Sequence, residues 1–270
     1  MQSSIFYTFT QQYFLKVKVI IHPQYQLFEK EIINLARNYH NQGKILVEGA
    51  RNSIKIHELN QEEVTLKFFK KLGFFKAIIY TFFRESKAKR SFDYANYLID
   101  HQIKTPFPIA YIEEKNSLGL LSNSYYISAY IPYDFTIREL IHDPFFKDRK
   151  TIIEQFTAFT YSMHEANVNF LDHSPGNTLI VKKENQQYDF YLIDLNRMKF
   201  EKMSWYKRMD NFKKMWLSKQ MLKIVATTYA QLSHQSIESL QQILFQTSGD
   251  FKRKINKKKW LKRKMKHLKK

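Results

Sequence analysis

The 270-residue chain contains no cysteine. Disulfide frameworks, thiolate zinc sites, iron–sulfur clusters and cysteine nucleophiles are thereby excluded. Glycine and proline number six each, too few to punctuate the chain into obvious modules. No apolar run approaches the roughly 18 residues that a membrane-spanning helix requires. The aromatic stretch Ile5-Phe6-Tyr7 precedes the first cation, Lys16, the reverse of the order in a secretory signal. The expectation is a cytoplasmic protein, soluble or peripheral to the inner face of a bacterial inner membrane.

What is present is apolar and basic. Hydrophobic residues make up 44% and aromatics 16% of the chain, enough to fill a core and to exclude global disorder. A chain of this length buries roughly three quarters of its unfolded surface. The net charge is +19, but it is unevenly placed. Residues 251–270 hold twelve Lys/Arg and no acid. The body is only mildly basic, and the polyelectrolyte is the tail.

Hydrophobic periodicity supplies the elements. Val17 to Ile21 alternates as a short strand, and Phe28 to Tyr39 has helical spacing. Lys44 to Glu48, Ser53 to Glu58 and Glu63 to Phe69 read as strands. In the second of these, Ile54 and Ile56 alternate with Lys55 and His57, which predicts a sheet with the lysine and histidine on its wet face. Ser86 to His101 reads as a helix, and Ile109 to Glu113 and Tyr125 to Tyr130 as further strands. Beyond Pro132 the texture turns helical, with Ile152 to His164, Asp210 to Leu232 and Ile237 to Gln246. The order predicts an α+β, two-lobed, protein-kinase-like fold: a five-stranded antiparallel N-lobe sheet with one main helix after its third strand, and a mainly helical C-lobe. The boundaries follow as an extension over 1–16, lobes over 17–131 and 132–250, and a basic amphipathic tail over 251–270.

The segment carrying the chemistry runs Phe170-Leu-Asp172-His-Ser-Pro-Gly-Asn177-Thr-Leu-Ile-Val181, and seventeen residues past Asn177 comes Asp194 in Tyr191-Leu-Ile-Asp194-Leu-Asn-Arg197. Alone, Asp172 reads equally well as a turn residue beside Pro175-Gly176, and Asp194 as a strand-end cap. Together they form an ordered set: an acid, an amide five residues later, an apolar strand, a polar turn, a second apolar strand and a second acid. Phosphoryl transfer needs one carboxylate to orient the attacking hydroxyl and accept its proton. It also needs an amide oxygen and another carboxylate to hold Mg²⁺ against the nucleotide phosphates. A hairpin would return the second acid beside the first. A kinase further needs a cation on the third strand, and Lys67 lies in the apolar run Val64-Thr-Leu-Lys67-Phe-Phe. Period two puts Lys67 on a face with Glu63 and Thr65, which suits a wet edge or a nucleotide-facing surface alike.

These stretches, with Arg51-Asn-Ser-Ile-Lys55, Ser86-Lys-Ala-Lys-Arg-Ser-Phe-Asp93, Thr105-Pro-Phe-Pro and Ser174-Pro-Gly-Asn177, resemble the bacterial lipopolysaccharide core kinases. Those are the Kdo and heptose kinases, and the likeness is strongest to the Bacteroidetes-type Kdo kinase. It runs from about Val17 to about Gln246. It implies an ATP- and Mg²⁺-dependent sugar kinase acting on the Kdo of a lipid A-linked precursor in lipopolysaccharide biosynthesis. By the same resemblance Lys67 binds phosphate and Asp93 pairs with it. Asp172 is the catalytic base, and Asn177 and Asp194 are metal ligands. The turn around Gly49 and Arg51 lies over the phosphates, and Tyr125 to Tyr130 reaches the hinge, where Tyr130 meets adenine. Three positions depart from the pattern: Asp93 replaces the usual Glu, Phe170 replaces a supporting His, and Gly49 is the only glycine in its turn.

Two basic segments stand outside that set. Arg84, Lys87, Lys89 and Arg90 form either a solvated helix face or a site for the carboxylate and phosphates of the glycolipid. The 251–270 tail places Leu261, Met265 and Leu268 on one helical stripe beside Trp260, which suits an anionic membrane surface. A nucleic-acid partner ranks lower, because no base-reading fold accompanies the tail. A heptose kinase or protein kinase of the same fold, and a catalytically silent membrane- or RNA-docking module, are the alternatives.

Overall fold

The computed structural model describes residues 17–49, 52–70 and 73–267. The chain divides into two compact units, one over residues up to 100 and 106–131, the other over 101–105 and 132 onward.

The first unit is built on a six-stranded antiparallel sheet. In chain order it contains β1 (Val17–Ile21), α1 (Glu29–Arg37), β2 (Lys44–Glu48), β3 (Asn52–Leu59), β4 (Glu62–Phe69), α2 (Phe74–Phe82), α3 (Lys87–Asp100), β5 (Pro108–Lys115) and β6 (Leu121–Ala129). The spatial order is β1-β5-β6-β4-β3-β2. The sheet thus has one strand more than the five expected, because β1 pairs antiparallel with β5, Ile20 opposite Tyr111. Three described helices accompany it, and α2 was not anticipated from the sequence. Ile32, Leu35 and Ala36 of α1 pack into one core with Leu66, Phe68, Ile112 and Ile127 of the sheet.

The alternation in β3 is opposite to the expected one. Ser53, Lys55, His57 and Leu59 are buried, while Ile54 and Ile56 are half-buried. The reason is that Lys55 Nζ reaches the backbone carbonyls of Tyr39 (2.6 Å), His40 (3.3 Å) and Gln42 (2.9 Å) in the turn that follows α1.

The second unit contains β7 (Phe135–Thr136), α4 (Ile137–His142), α5 (Arg149–Glu165), β8 (Val168–Phe170), β9 (Thr178–Lys182), β10 (Tyr188–Leu192), β11 (Met198–Phe200), α6 (Trp205–Asp210), α7 (Lys219–Ser233) and α8 (Ile237–His267). Helix α5 buries Ile152, Ile153, Phe156, Thr160 and Met163, the i, i+4, i+7 stripe its sequence predicts. The helix read as Asp210 to Leu232 is interrupted. A 3-10 turn covers Asn211–Met215, and Trp216 takes a left-handed φ of 58° before α7 begins. The helix read as ending at Gln246 runs on to His267 through Gly249, so the described part of the basic segment is its continuation. Lys252 Nζ donates to Leu217 O at 2.7 Å and Phe251 packs edge-on against Trp216, holding the start of that continuation against the turn that precedes α7.

Candidate active site

The second unit brings Asp172, Asn177 and Asp194 together by a simple backbone device. Strands β9 and β10 form an antiparallel hairpin with Thr178 opposite Leu192, and Ile193 N extends it with a 3.0 Å bond to Asn177 O. At the other end β8 pairs with β11, Phe170 opposite Met198, and Leu171 N bonds Arg197 O at 2.9 Å. The stretches 171–177 and 193–197 are therefore antiparallel neighbours, each tied at both ends. Asp172 and Asn177 sit on one, Asp194 on the other.

Side chains complete the arrangement. Asn177 Nδ2 donates to Asp172 O at 2.8 Å, which turns its Oδ1 the other way. Asn196 Nδ2 donates to Asp194 Oδ1 at 2.7 Å. Asp194 has φ 59°, a left-handed conformation that costs a non-glycine residue about 1 kcal/mol and concentrates at functional sites. Two cations flank the Asp172 carboxylate: Lys214 Nζ at 3.1 Å from Oδ1, and Arg197 Nη1 at 3.7 Å from Oδ2. Lys214 also donates to Leu171 O at 2.5 Å. It comes from the 3-10 turn, 42 residues from Asp172, a separation that no spacing rule links to it. Arg197 was quoted only as part of a motif.

The same turn anchors the loop from behind. The Asn211 amide donates to Phe170 O (3.0 Å) and Asn169 Oδ1 (3.1 Å). Its Oδ1 is therefore the acceptor for His173 Nδ1 at 2.9 Å. His173 is buried and its Nε2 has no partner among the described residues; desolvation lowers its pKa to about 4. His164 lies on the far side of Asn211, with Nδ1 2.9 Å from the Tyr229 hydroxyl. Desolvation, then the nearby His173, lowers its pKa to about 3. Phe170 is buried and stacks on His173 with ring centroids 5.9 Å apart, so at this position an aromatic ring backs the loop.

In the first unit, Lys67 sits on β4 in a cross-strand row with Ile54 on β3, Tyr126 on β6 and, beyond it, Tyr111 on β5. It is buried, with Nζ 5.4 Å from the Phe69 ring centroid; Lys87 Nζ lies 5.6 Å from the same ring. Helix α3 packs on this row through Phe92, 5.4 Å from Tyr111. Asp93 accepts from Lys89 and lies close enough to Tyr111 that its charge, after desolvation and Glu113, helps to raise the tyrosine pKa. Gly49 N bonds Asn52 O at 3.0 Å in the β2–β3 turn, and Tyr130 N bonds Glu63 O at 3.0 Å. Arg51 lies outside the described residues, as do residues 1–16 and Leu268.

The four cations expected around the start of α3 do not share one face. Arg84 is exposed over the Tyr80 ring, Lys87 lies against Phe69, Lys89 bridges Glu85 (2.8 Å) and Asp93, and Arg90 is buried.

Among the described residues no group of three or more His, Cys, Asp or Glu could hold a metal by themselves. Mg²⁺ does not need such a cage, because it is typically bound through one or two carboxylates with phosphates and water completing the octahedron. Asp194 and the Asn177 amide oxygen are hard oxygen donors of the fitting kind.

Comparison with known proteins follows the same lines. The model of the "Lipopolysaccharide kinase (Kdo/WaaP) family" matches residues 72–243. No curated protein shows a significant match. Among solved structures, "WaaP in complex with acyl carrier protein" superposes with a TM-score of 0.61 at 15% identity, over 89% of this chain and 98% of that one. A MAP kinase of Leishmania major, LmaMPK10, matches at 0.43 and 14% identity, over 74% of this chain and 60% of that one. The fold is protein-kinase-like, with an antiparallel-sheet N-lobe and a helical C-lobe.

Proposed function

Because the chain belongs to the lipopolysaccharide kinase (Kdo/WaaP) family, phosphotransferases that act on sugar hydroxyls, we propose that it transfers the γ-phosphoryl group of ATP to a hydroxyl of the Kdo residue on a lipid A-linked precursor. The acceptor oxygen bonds to phosphorus, the bond to the ADP oxygen breaks, and the hydroxyl proton passes to Asp172. The observation that carries the reading is the pairing of stretches 171–177 and 193–197, which sets Asp172, Asn177 and Asp194 side by side.

Each residue has its part. Asp172 orients the hydroxyl and takes its proton. Lys214 and Arg197 present positive charge where the transferring group carries negative charge. Asn177 and Asp194 would hold Mg²⁺, which neutralises charge on the phosphates when bound. Lys67 holds the α and β phosphates, with Asp93 as its positioning acid. Gly49 and Arg51 cover the phosphates, and Tyr130 meets adenine. Of the four cations around the start of α3, the exposed Arg84 is the one assigned to the anionic glycolipid.

Among the described residues no helix is long and apolar enough to cross a membrane. The end of α8 exposes Trp260, Leu261 and Met265 among lysines and arginines. This segment is proposed to rest on the anionic inner face of the inner membrane, where each cation contributes on the order of 1 kcal/mol.

The test is labelled ATP with Mg²⁺ and three acceptors: Kdo-lipid A, a heptose-bearing core and a protein mixture. Label on Kdo is expected, and Asp172→Asn is expected to slow transfer about 10²- to 10⁴-fold while Mg-ATP still raises the melting temperature. Label only on heptose overturns the acceptor, and label only on protein overturns the sugar-kinase reading.

A further inference from the structure

Helix α2 carries an apolar surface that the phosphotransfer site does not use. One side of the helix is tied down. Ala77 is buried, and the Thr81 hydroxyl donates to Ala77 O at 2.7 Å while accepting from Leu121 N at 2.8 Å, fixing α2 to the start of β6. The other side is bare. Phe74 is 60% exposed, Phe75 80%, Ile79 47%, Phe82 70% and Phe83 81%. At 100° per residue Phe75, Ile79 and Phe82 fall within about 60° of one another, with Phe74 at the helix start and the C-cap Phe83 flanking them. Leu118, in the β5–β6 turn that ends at Leu121, is exposed as well. Monomeric soluble proteins rarely show apolar surface gathered in this way without a use for it.

Charge decides what covers it. Residues 73–90 contain five Lys/Arg and one acid. Exposed Lys76 borders the stripe, and exposed Arg84 follows directly after Phe83. Protruding phenylalanines rimmed by cations are the pattern of a segment that lies in the headgroup region of an anionic bilayer, with rings below and cations at the phosphates.

We propose that α2 is an interfacial membrane-insertion element, its Phe74–Phe83 stripe entering an anionic phospholipid surface. The proposal is independent of the acceptor assigned above and of the α8 segment. The α8 cations would draw the chain to the surface electrostatically, whereas α2 enters the acyl boundary and makes binding persist in salt.

The absence of cysteine makes the test direct, since a single introduced thiol is the only one to label. Full-length Phe75→Cys and Phe83→Cys proteins, each carrying an environment-sensitive fluorophore, are mixed with phosphatidylcholine vesicles with and without phosphatidylglycerol. A blue shift with phosphatidylglycerol, and quenching by spin label in the upper acyl chain, are expected at both sites. Neither is expected at Asn60→Cys in the β3–β4 turn. Phe82→Ser/Phe83→Ser is expected to lower vesicle partition at least about tenfold with an unchanged melting temperature. Absence of vesicle binding overturns the proposal, as does a probe left in water on vesicles that nonetheless carry the protein. Protection without vesicles overturns it too: if it scales with protein concentration a second copy covers the stripe, and if it disappears on deletion of residues 1–16 that segment does. Transfer to a soluble acceptor is read in parallel, so failure of the kinase reading and failure of the insertion element appear in different assays.

Discussion

Lys214 Nζ lies 3.1 Å from Asp172 Oδ1 across 42 positions of sequence. The contact is partly exposed, with side-chain accessibilities of 31% and 29%, so its worth to stability is small. Its worth to chemistry is different. A cation beside the base faces the charge that develops on the transferring phosphoryl group. Lys214→Met is expected to lower kcat/KM about 10²-fold with an unchanged melting temperature, and Lys214→Arg to recover much of the loss. A kcat/KM left unchanged in Lys214→Met would remove Lys214 from the reaction.

Lys55 is the clearest case of a buried cation with a purely architectural task. Its ammonium caps three carbonyls after α1 and lies 4.9 Å from the Tyr39 ring centroid. Lys55→Met keeps the stem but leaves those carbonyls without their donor. A loss of about 2–3 kcal/mol in denaturant unfolding is expected, and nucleotide-induced stabilisation is expected to persist. A change below 0.5 kcal/mol would show that water replaces the ammonium at no cost.

The same residue marks where sequence reading stops. Period two located β3 correctly but inverted its faces, because a lysine is counted as wet unless its acceptors are known, and these lie thirteen to sixteen residues upstream. The hairpin that returns Asp194 beside Asn177 was legible, since both strands are short apolar runs directly flanking the polar positions. Lys214 and Asn211 were not, because a short 3-10 turn has no hydrophobic period and their partners lie some forty residues away. The helical stripe of the basic segment was legible, but its continuity with α8 through Gly249 was not. Helix α2 escaped because its apolar stripe faces outward, so it does not show the pattern of a helix packed on a core.

Two glycines are expected to respond in opposite directions to alanine. Gly43 has φ 85°, and a Cβ there would stand 2.4 Å from His57 Nε2. Left-handed backbone costs alanine about 1 kcal/mol, and the buried imidazole must also shift. Gly43→Ala is expected to lose about 2 kcal/mol or more. Gly249 lies inside α8, where a Cβ would meet Arg253 only at ordinary contact distance of 3.4 Å. Gly249→Ala is expected to gain about 0.5–1 kcal/mol. Urea unfolding of the two variants checks both signs, and a destabilised Gly249→Ala protein would show that the helix is not continuous through this point.

Acid sensitivity follows from the histidines behind the catalytic loop. Burial lowers the His164 pKa to about 3 and the His173 pKa to about 4, against an ordinary 6.5. Both are therefore neutral in the folded chain across the range in which the unfolded chain takes up protons. Between pH 6.5 and about 4 the unfolded state binds more protons, so stability falls as pH falls. The loss expected over that window is on the order of several kcal/mol. His164 accepts from the Tyr229 hydroxyl, whose own oxygen lies 3.4 Å from Arg208 Nη1, so protonation places a second positive charge beside a buried guanidinium. Denaturant midpoints measured from pH 7 to pH 4.5 are expected to fall steeply, and His164→Gln, which cannot titrate, is expected to flatten the slope even if it lowers the plateau. A slope unchanged by His164→Gln would assign the acid sensitivity to other groups.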